Sequence, residues 1–122
     1  MANSPNRDLD GLLVISLEQA VAAPYAASRL ADAGARVIKV ERPEGDFARG
    51  YDADANGHSS NFVWLNRGKE SVALDLKQPD DLQIFKQMLS KADVFIQNLM
   101  PGALDRLGVS MAYCRQANPR LI

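Results

Sequence analysis

The sequence predicts an α/β fold, a Rossmann-like and mostly parallel sheet flanked by helices. Three observations predict it. Short apolar runs alternate with helix-like stretches along the chain, and that alternation builds parallel sheets. The first two runs, residues 12–16 (LLVIS) and 37–40 (VIKV), enclose an alanine-rich stretch within about thirty residues, the size of one right-handed βαβ unit. Residues 121–122 (LI) open another apolar run just where the sequence stops.

Taken in order, residues 1–8 read as a loose polar arm and residues 12–16 as the first strand. Pro24 can open the helix that follows, because the first helical turn has no use for the N–H that proline lacks. Ala26, Ala27, Leu30, Ala31 and Ala33 make its apolar flank, with Ser28, Arg29 and Asp32 on the opposite face. Gly34 stops the helix, since glycine tolerates the left-handed conformation that a C-terminal cap commonly needs. Val37, Ile38 and Val40 form the second strand with Lys39 as its only polar break, a pattern suited to a sheet covered on both faces. Glu41-Arg42-Pro43 closes it, as proline cannot continue a central ladder.

Residues 43–59 form a long loop through Gly45, Gly50 and Gly57, and loops of this length in a small domain tend to be functional or mobile. Residues 60–66 (SNFVWLN) fit a helical turn or an extended segment, and residues 67–70 a turn. Alternation predicts a third strand over 71–76 (SVALDL). Residues 78–90 are the clearest helix: Pro79 lies near its start, Asp80 and Asp81 complement the dipole, and Leu82, Phe85, Met88 and Leu89 share a face. A fourth strand follows at 94–97, a turn at Pro101-Gly102, a short helix at 103–107 and a weaker one at 111–116. Residues 121–122 then read as the opening of a fifth strand. A strand cut off after two residues points to the N-terminal part of a larger domain, with a natural terminus just past a helix as the alternative.

The composition narrows the class of function. At 122 residues, 47% hydrophobic and 24% charged with net charge −1, the chain is an ordinary globular one with no basic excess for nucleic acid. A lone cysteine, Cys114, excludes an internal disulfide and fits a reducing cytoplasm. No run has the length of a membrane span, and the N-terminal residues lack the apolar core of a secretory signal.

Ligands of open α/β sheets sit at the carboxyl ends of strands, which directs attention to residues 18–24, to Glu41 and Arg42, and to the ends of the third and fourth strands. Glu41 stands where a dinucleotide fold keeps its ribose-binding acid. Residues 18–24 contain no glycine, however, so a nicotinamide dinucleotide lacks its phosphate turn. Asp52 and Asp54 have no third ligand nearby for a metal and read as a solvated loop. His58 has no partner spaced for metal or triad. Cys114 reads as a small buried apolar side chain, and Phe62 and Trp64 as core.

Five strings carry a family resemblance: LDGLLVISLEQAVAAP (9–24), RLADAGARVIKVERPEGDFARG (29–50), NRGKESVALDLK (66–77), ADVFIQNLMPGALDRLG (92–108) and NPRLI (118–122). In this order and spacing the chain resembles the class III CoA-transferases, the family of formyl-CoA transferase. The resemblance covers residues 9–122 and implies the first third of an enzyme that moves coenzyme A between carboxylates as an interlocked, cytoplasmic homodimer. It implies acyl-CoA and a small carboxylic acid as substrates and partners, no permanently bound cofactor, no metal, no nucleic acid and no membrane. Matched position by position, the CoA-contacting residues are Val21, Ala22, Arg42, Leu74, Asp75, Leu76, Lys77, Asn98, Leu99, Met100 and Arg106. Arg42 matches a phosphate-facing place, and a guanidinium suits phosphate geometry bidentately. Arg49 reads as an exposed loop arginine of less consequence.

The chain departs from the family where Val21 replaces a glutamine, where Leu99 replaces an aromatic, and where Met100 replaces a glycine or arginine. SLEQAVAAPY with GDFARGYD is similar to members acting on small dicarboxylates such as itaconate, mesaconate or citramalate. The family's nucleophile is an aspartate that forms mixed anhydrides, and its place lies beyond residue 122, so no catalytic residue is expected within this chain. Asp75 fits CoA contact, not nucleophilic attack. Two alternatives remain: a CoA-ester racemase of the same fold, and a non-catalytic module that binds CoA or only pairs with a partner.

Overall fold

A computed structural model describes residues 6–122. Most of the arm expected over residues 1–8 lies outside that range, and its described part, residues 6–8, is exposed. The elements are β1 (Leu13–Leu17), α1 (Ala22–Asp32), β2 (Arg36–Glu41), a 3-10 turn (Phe47–Gly50), α2 (Ser60–Asn66), β3 (Lys69–Ala73), α3 (Pro79–Lys91), β4 (Val94–Gln97), α4 (Ala103–Arg106) and α5 (Met111–Ala117). The strands form one parallel sheet in the order β3-β2-β1-β4, the α/β architecture the alternation implies.

Strand β1 shows why both faces are covered. Its side chains alternate: Ile15 and Leu17 join a core with Val40, Phe85, Leu89 and Val109, beneath α3 and α5. Val14 faces the other way, onto Ala27 and Ala31 of α1 and Val37 of β2. Small residues line the buried face of α1, so the helix axis can lie close to the sheet. Gly34 takes φ +113 and ends the helix; a Cβ there would stand 2.5 Å from the Asp10 carboxylate, so close approach adds to the backbone's demand for glycine.

Several local expectations are corrected. Helix α1 begins at Ala22, so Pro24 sits inside its first turn instead of opening it. Ser28 is fully buried, not on the polar face, and it tolerates this by donating its hydroxyl to the Tyr25 carbonyl at 2.8 Å. Residues 60–66 resolve as a helix, capped by Ser59 Oγ accepting from Phe62 N–H. Strand β3 starts and ends earlier than residues 71–76. Trp64 is 52% exposed and stacks at a tilt on Tyr25, so it is not core.

Beside β4, Ile122 N–H donates to the Asp93 carbonyl at 3.1 Å and Phe95 N–H to the Ile122 carbonyl at 2.8 Å. This is one parallel rung, where a fifth strand was expected. Among the described residues, no helix is long and apolar enough to cross a membrane.

Candidate functional site

The carboxyl ends of β1, β2 and β3 frame a cleft. Leu17, Val40, Leu74, Leu76, Leu99 and Leu107 give it an apolar floor; Glu18, Gln19, Glu41, Arg42, Asp46, Asp75 and Lys77 complete the lining. The floor follows from the strand ends themselves. Leu74 N–H donates to the Glu41 carbonyl at 2.8 Å, the last rung between the β2 and β3 segments, and the chain then peels away, with Leu74 buried, along the cleft. The alternation of SVALDL thus records a strand followed by a cleft wall.

Of the residues that the resemblance implies, Arg42, Leu74, Asp75, Leu76, Lys77 and Leu99 meet in this cleft. Asn98 stands beside it. Its side chain accepts from Gln19 N–H at 3.0 Å and donates to the Gln19 carbonyl at 2.8 Å, clasping the β4 turn to the β1 turn. Val21 caps α1 with its backbone alone and is half exposed, and Ala22, next in line, is exposed. Met100 is 77% exposed, and Arg106 is exposed with its guanidinium folded against Gly102. Val21, Ala22, Asn98, Met100 and Arg106 therefore do not line the cleft.

Arg42 donates Nε–H to the Gly45 carbonyl at 2.9 Å and lies over the Phe47 ring at 6.0 Å. Neither Arg42 nor Lys77 enters a salt bridge among the described residues. An apolar floor with two such cations at its rim suits a ligand that joins an anionic group to a less polar body.

Behind the cleft lies a constellation that the linear reading missed. The side chains of Glu18, Lys39, Asp46 and Lys69 are each at most 2% exposed. Lys39 Nζ reaches Asp46 at 2.8 Å and Glu18 at 3.3 Å; Lys69 Nζ reaches Glu18 at 2.6 Å, the Pro24 carbonyl at 2.9 Å and Asn66 at 3.0 Å. Ser16 donates its hydroxyl to Glu18 as well. Two cations and two carboxylates balance, and no fully buried side-chain nitrogen or oxygen among the described residues lacks a partner. Burial pulls the Lys69 ammonium pKa down, against the opposing pull of Glu18. Lys39, the polar break in β2, is thus paired within the covered sheet; its ammonium also lies 5.3 Å from the Phe62 ring centre.

Asp46 is the branching point of this constellation. Its Oδ1 accepts from Ala20 N–H at 3.1 Å and Ala48 N–H at 2.9 Å, while its own N–H donates to Glu41 at 2.8 Å. Ala20 sits at φ +62, a left-handed conformation that costs a residue with a Cβ roughly 1–2 kcal/mol.

Glu41 in turn receives both arms of the Arg49 guanidinium, at 2.9 and 2.7 Å, and the Ser71 hydroxyl at 2.8 Å. Burial pushes the Glu41 carboxyl up, but the hydrogen bonds from Arg49, Asp46 N–H and Ser71 together outweigh it and hold the pKa at about 2. Arg49 also stacks over Phe62 at 4.0 Å, so it is a clamp on the 43–59 loop and not a free loop arginine. The spacing of Glu18, Lys39 and Lys69, spread over 51 residues, left no local signal for any of this.

The remaining candidates stay structural. Asp52 accepts from the backbone N–H of Ser60 and of Asp54, which hold its carboxyl well below the usual range. His58 pairs with Ala55 through backbone bonds, and Cys114 is buried and free. No group of three or more metal-ligating side chains occurs among the described residues.

Comparison with known proteins shows the family. The profile of CoA-transferase family III matches residues 9–122. The acetyl-CoA:oxalate CoA-transferase of Acetobacter aceti is 44% identical over 97% of this chain, which spans 31% of that protein. The succinyl-CoA:mesaconate CoA-transferase of Haloarcula hispanica is 39% identical over 93% of this chain and 30% of its own length. Among solved structures, the hypothetical protein Rv3272 of Mycobacterium tuberculosis superposes with a TM-score of 0.91 at 38% identity, over 98% of this chain and 33% of that one. The chain thus spans about a third of the length of these relatives, and with a family profile matched along all but its first eight residues, it belongs to CoA-transferase family III.

Proposed function

We propose that this segment supplies the coenzyme A-binding edge of an enzyme that moves CoA between small carboxylic acids. The observation that carries the reading is the cleft itself: an apolar floor at the strand ends with Arg42 and Lys77 at its rim. The floor suits the adenine or pantetheine part of CoA, and the two cations suit its phosphates. Of the CoA contacts expected from the family, Arg42, residues 74–77 and Leu99 line the cleft. Val21, Ala22, Asn98, Met100 and Arg106 would meet parts of the ligand that extend past its mouth.

In the full-length enzyme, an aspartate outside these 122 residues attacks the thioester carbonyl of the donor. The carbon–sulfur bond breaks, CoA leaves as thiolate and an aspartyl anhydride remains. The thiolate attacks the aspartyl carbonyl of that anhydride and expels the donor carboxylate. The acceptor carboxylate displaces the thiolate from the aspartyl thioester, and the thiolate then takes the acceptor acyl group and frees the aspartate. Small dicarboxylates are the proposed acids, and a cytoplasmic homodimer the proposed assembly. The mesaconate activity of the Haloarcula relative supports a dicarboxylate, and the oxalate activity of the Acetobacter relative supports a small one.

Arg42 provides the test. A charge-assisted hydrogen bond to phosphate contributes roughly 1.5–3 kcal/mol, so Arg42→Ala in the full-length protein should weaken CoA binding about ten- to a hundredfold. Arg42→Lys should recover part of the loss, because lysine keeps the charge without the bidentate fork. Calorimetric titration of CoA into the wild type and both variants reads this directly. Equal affinity for wild type and Arg42→Ala would place the CoA site elsewhere on the sheet edge.

A further inference from the structure

We infer that Asp46 is a positioning residue for the ligand cleft: it holds the β1–α1 turn, through Ala20 N–H, in a conformation the turn would not keep by itself. The inference rests on the cleft being the CoA site proposed above, and it concerns a residue of the loop, not of the strands.

Three observations converge on it. Ala20 takes a positive φ although it is not glycine, and it lies immediately between Gln19, which lines the cleft, and Val21, the N-cap of α1. A turn strained in this way persists only if its surroundings impose it. The one side-chain acceptor for Ala20 N–H is Asp46 Oδ1, and Asp46 is in turn fixed from three sides, by Lys39 Nζ, by Ala48 N–H and through its own N–H by Glu41. With its side chain fully buried, Asp46 has no water to share its lone pairs with, so its orientation follows from these partners.

The second anchor of the same turn is the Asn98 clasp on Gln19. Gln19 is therefore held by β4 and Ala20 by the 43–59 loop, so the two ends of the cleft wall are pinned by elements that are remote in sequence. Loss of the Asp46 pin frees Ala20 to return to negative φ. The turn carrying Gln19 and Val21 then swings, and the cleft loses its shape at Gln19.

The experiment uses the full-length protein and CoA as the probe. Asp46→Ala should bind CoA about tenfold more weakly by calorimetry, and the Ala20 amide should exchange with deuterium at least tenfold faster in the absence of CoA. Adding Ala20→Gly to Asp46→Ala should recover about threefold of the affinity, because glycine adopts φ +62 without strain. Because Ala20→Gly relieves strain it also raises stability, so every variant is titrated where urea denaturation shows it fully folded. An affinity difference there is not one of stability. Should Asp46→Ala fail to fold, Asp46→Asn is the second variant. Its single amide oxygen can serve either Lys39 Nζ or the Ala20 and Ala48 N–H groups. CoA affinity should therefore fall there too, and Ala20→Gly should again recover about threefold.

Two results overturn the inference: CoA affinity unchanged in folded Asp46→Ala, or no recovery on adding Ala20→Gly. In folded Asp46→Asn, no recovery on adding Ala20→Gly would overturn it in the same way. Absence of CoA binding in the wild type would instead sink the CoA reading. The amide exchange of Ala20 would still report whether Asp46 holds the turn.

Discussion

Two regions of the sheet are built by opposite means. Around Lys39 of β2, four ionisable side chains are buried together, and each finds its partners among the others, the side chains of Ser16 and Asn66, and the backbone. Beside β4 the lining is mainly apolar, with Phe95, Ile96, Leu104, Val109, Met111 and Leu121 around an open groove, and Met111 and Ile122 are 74% and 84% exposed. Buried charge specifies one geometry, because every donor must meet its acceptor or cost several kcal/mol. Apolar surface specifies only that something apolar should cover it. A cleft that must keep its shape is backed by the first kind of wall, and an edge still open to packing is made of the second.

The sharpest way to break the charged half is Lys39→Ala. It leaves Asp46 buried with no cation and Glu18 with Lys69 alone, so the expected loss of unfolding free energy is roughly 3–5 kcal/mol. Urea denaturation reads it, and added salt should change it little, since the pair is out of reach of solvent. A loss below about 1 kcal/mol would mean that water enters the cluster.

A smaller effect comes from pH. Glu41 titrates at about 2 in the folded chain, below its ordinary 4.5, so its contribution to stability is complete above pH 4.5 and disappears as pH falls toward 2. Glu41→Gln should therefore be less stable than wild type at pH 7, and the gap should narrow steadily between pH 4.5 and 2. A gap of constant size across that window would show that Arg49 and Ser71 do not favour the charged carboxylate.

The smallest effect belongs to the apolar half. Met111→Ser should change the stability of the monomer by less than about 0.5 kcal/mol, because the side chain is already mostly in water. It should nevertheless reduce any self-association of this segment by covering less apolar surface. Sedimentation velocity at increasing concentration measures that. Unchanged association would mean that copies meet through another surface.

How much of this was legible follows the same division. Strands β1 and β4, helix α3 and the glycine stop at Gly34 are written locally, in runs of apolar residues and in proline, aspartate and glycine at helix ends. The strand-end placement of Arg42, Leu74 and Lys77 was legible because parallel sheets collect ligands at one edge. Lys39, Lys69 and Glu18 were not, because a charge reads as solvated unless its partner is visible, and here the partners lie up to 51 residues away. Ser28 failed for a similar reason: its hydroxyl is satisfied by its own helix, which no amphipathic pattern reports. Trp64 failed in the opposite sense, an aromatic assigned to the core that stands half in water.

The Asn98 clasp has a consequence for how the chain folds. Strand β1 meets β2 across a short connection, Leu13 against Arg36, whereas Asn98 meets Gln19 across 79 residues. Closing the longer loop costs more entropy and is repaid only when β4 docks, so the first βαβ unit can organise while the turn at Gln19 is still unclasped. The cleft is therefore a late product of folding: Leu17 and Val40 of its floor are in place as soon as β1 and β2 pair, but Leu99, Leu107 and the clasped turn are added only when the fourth strand arrives.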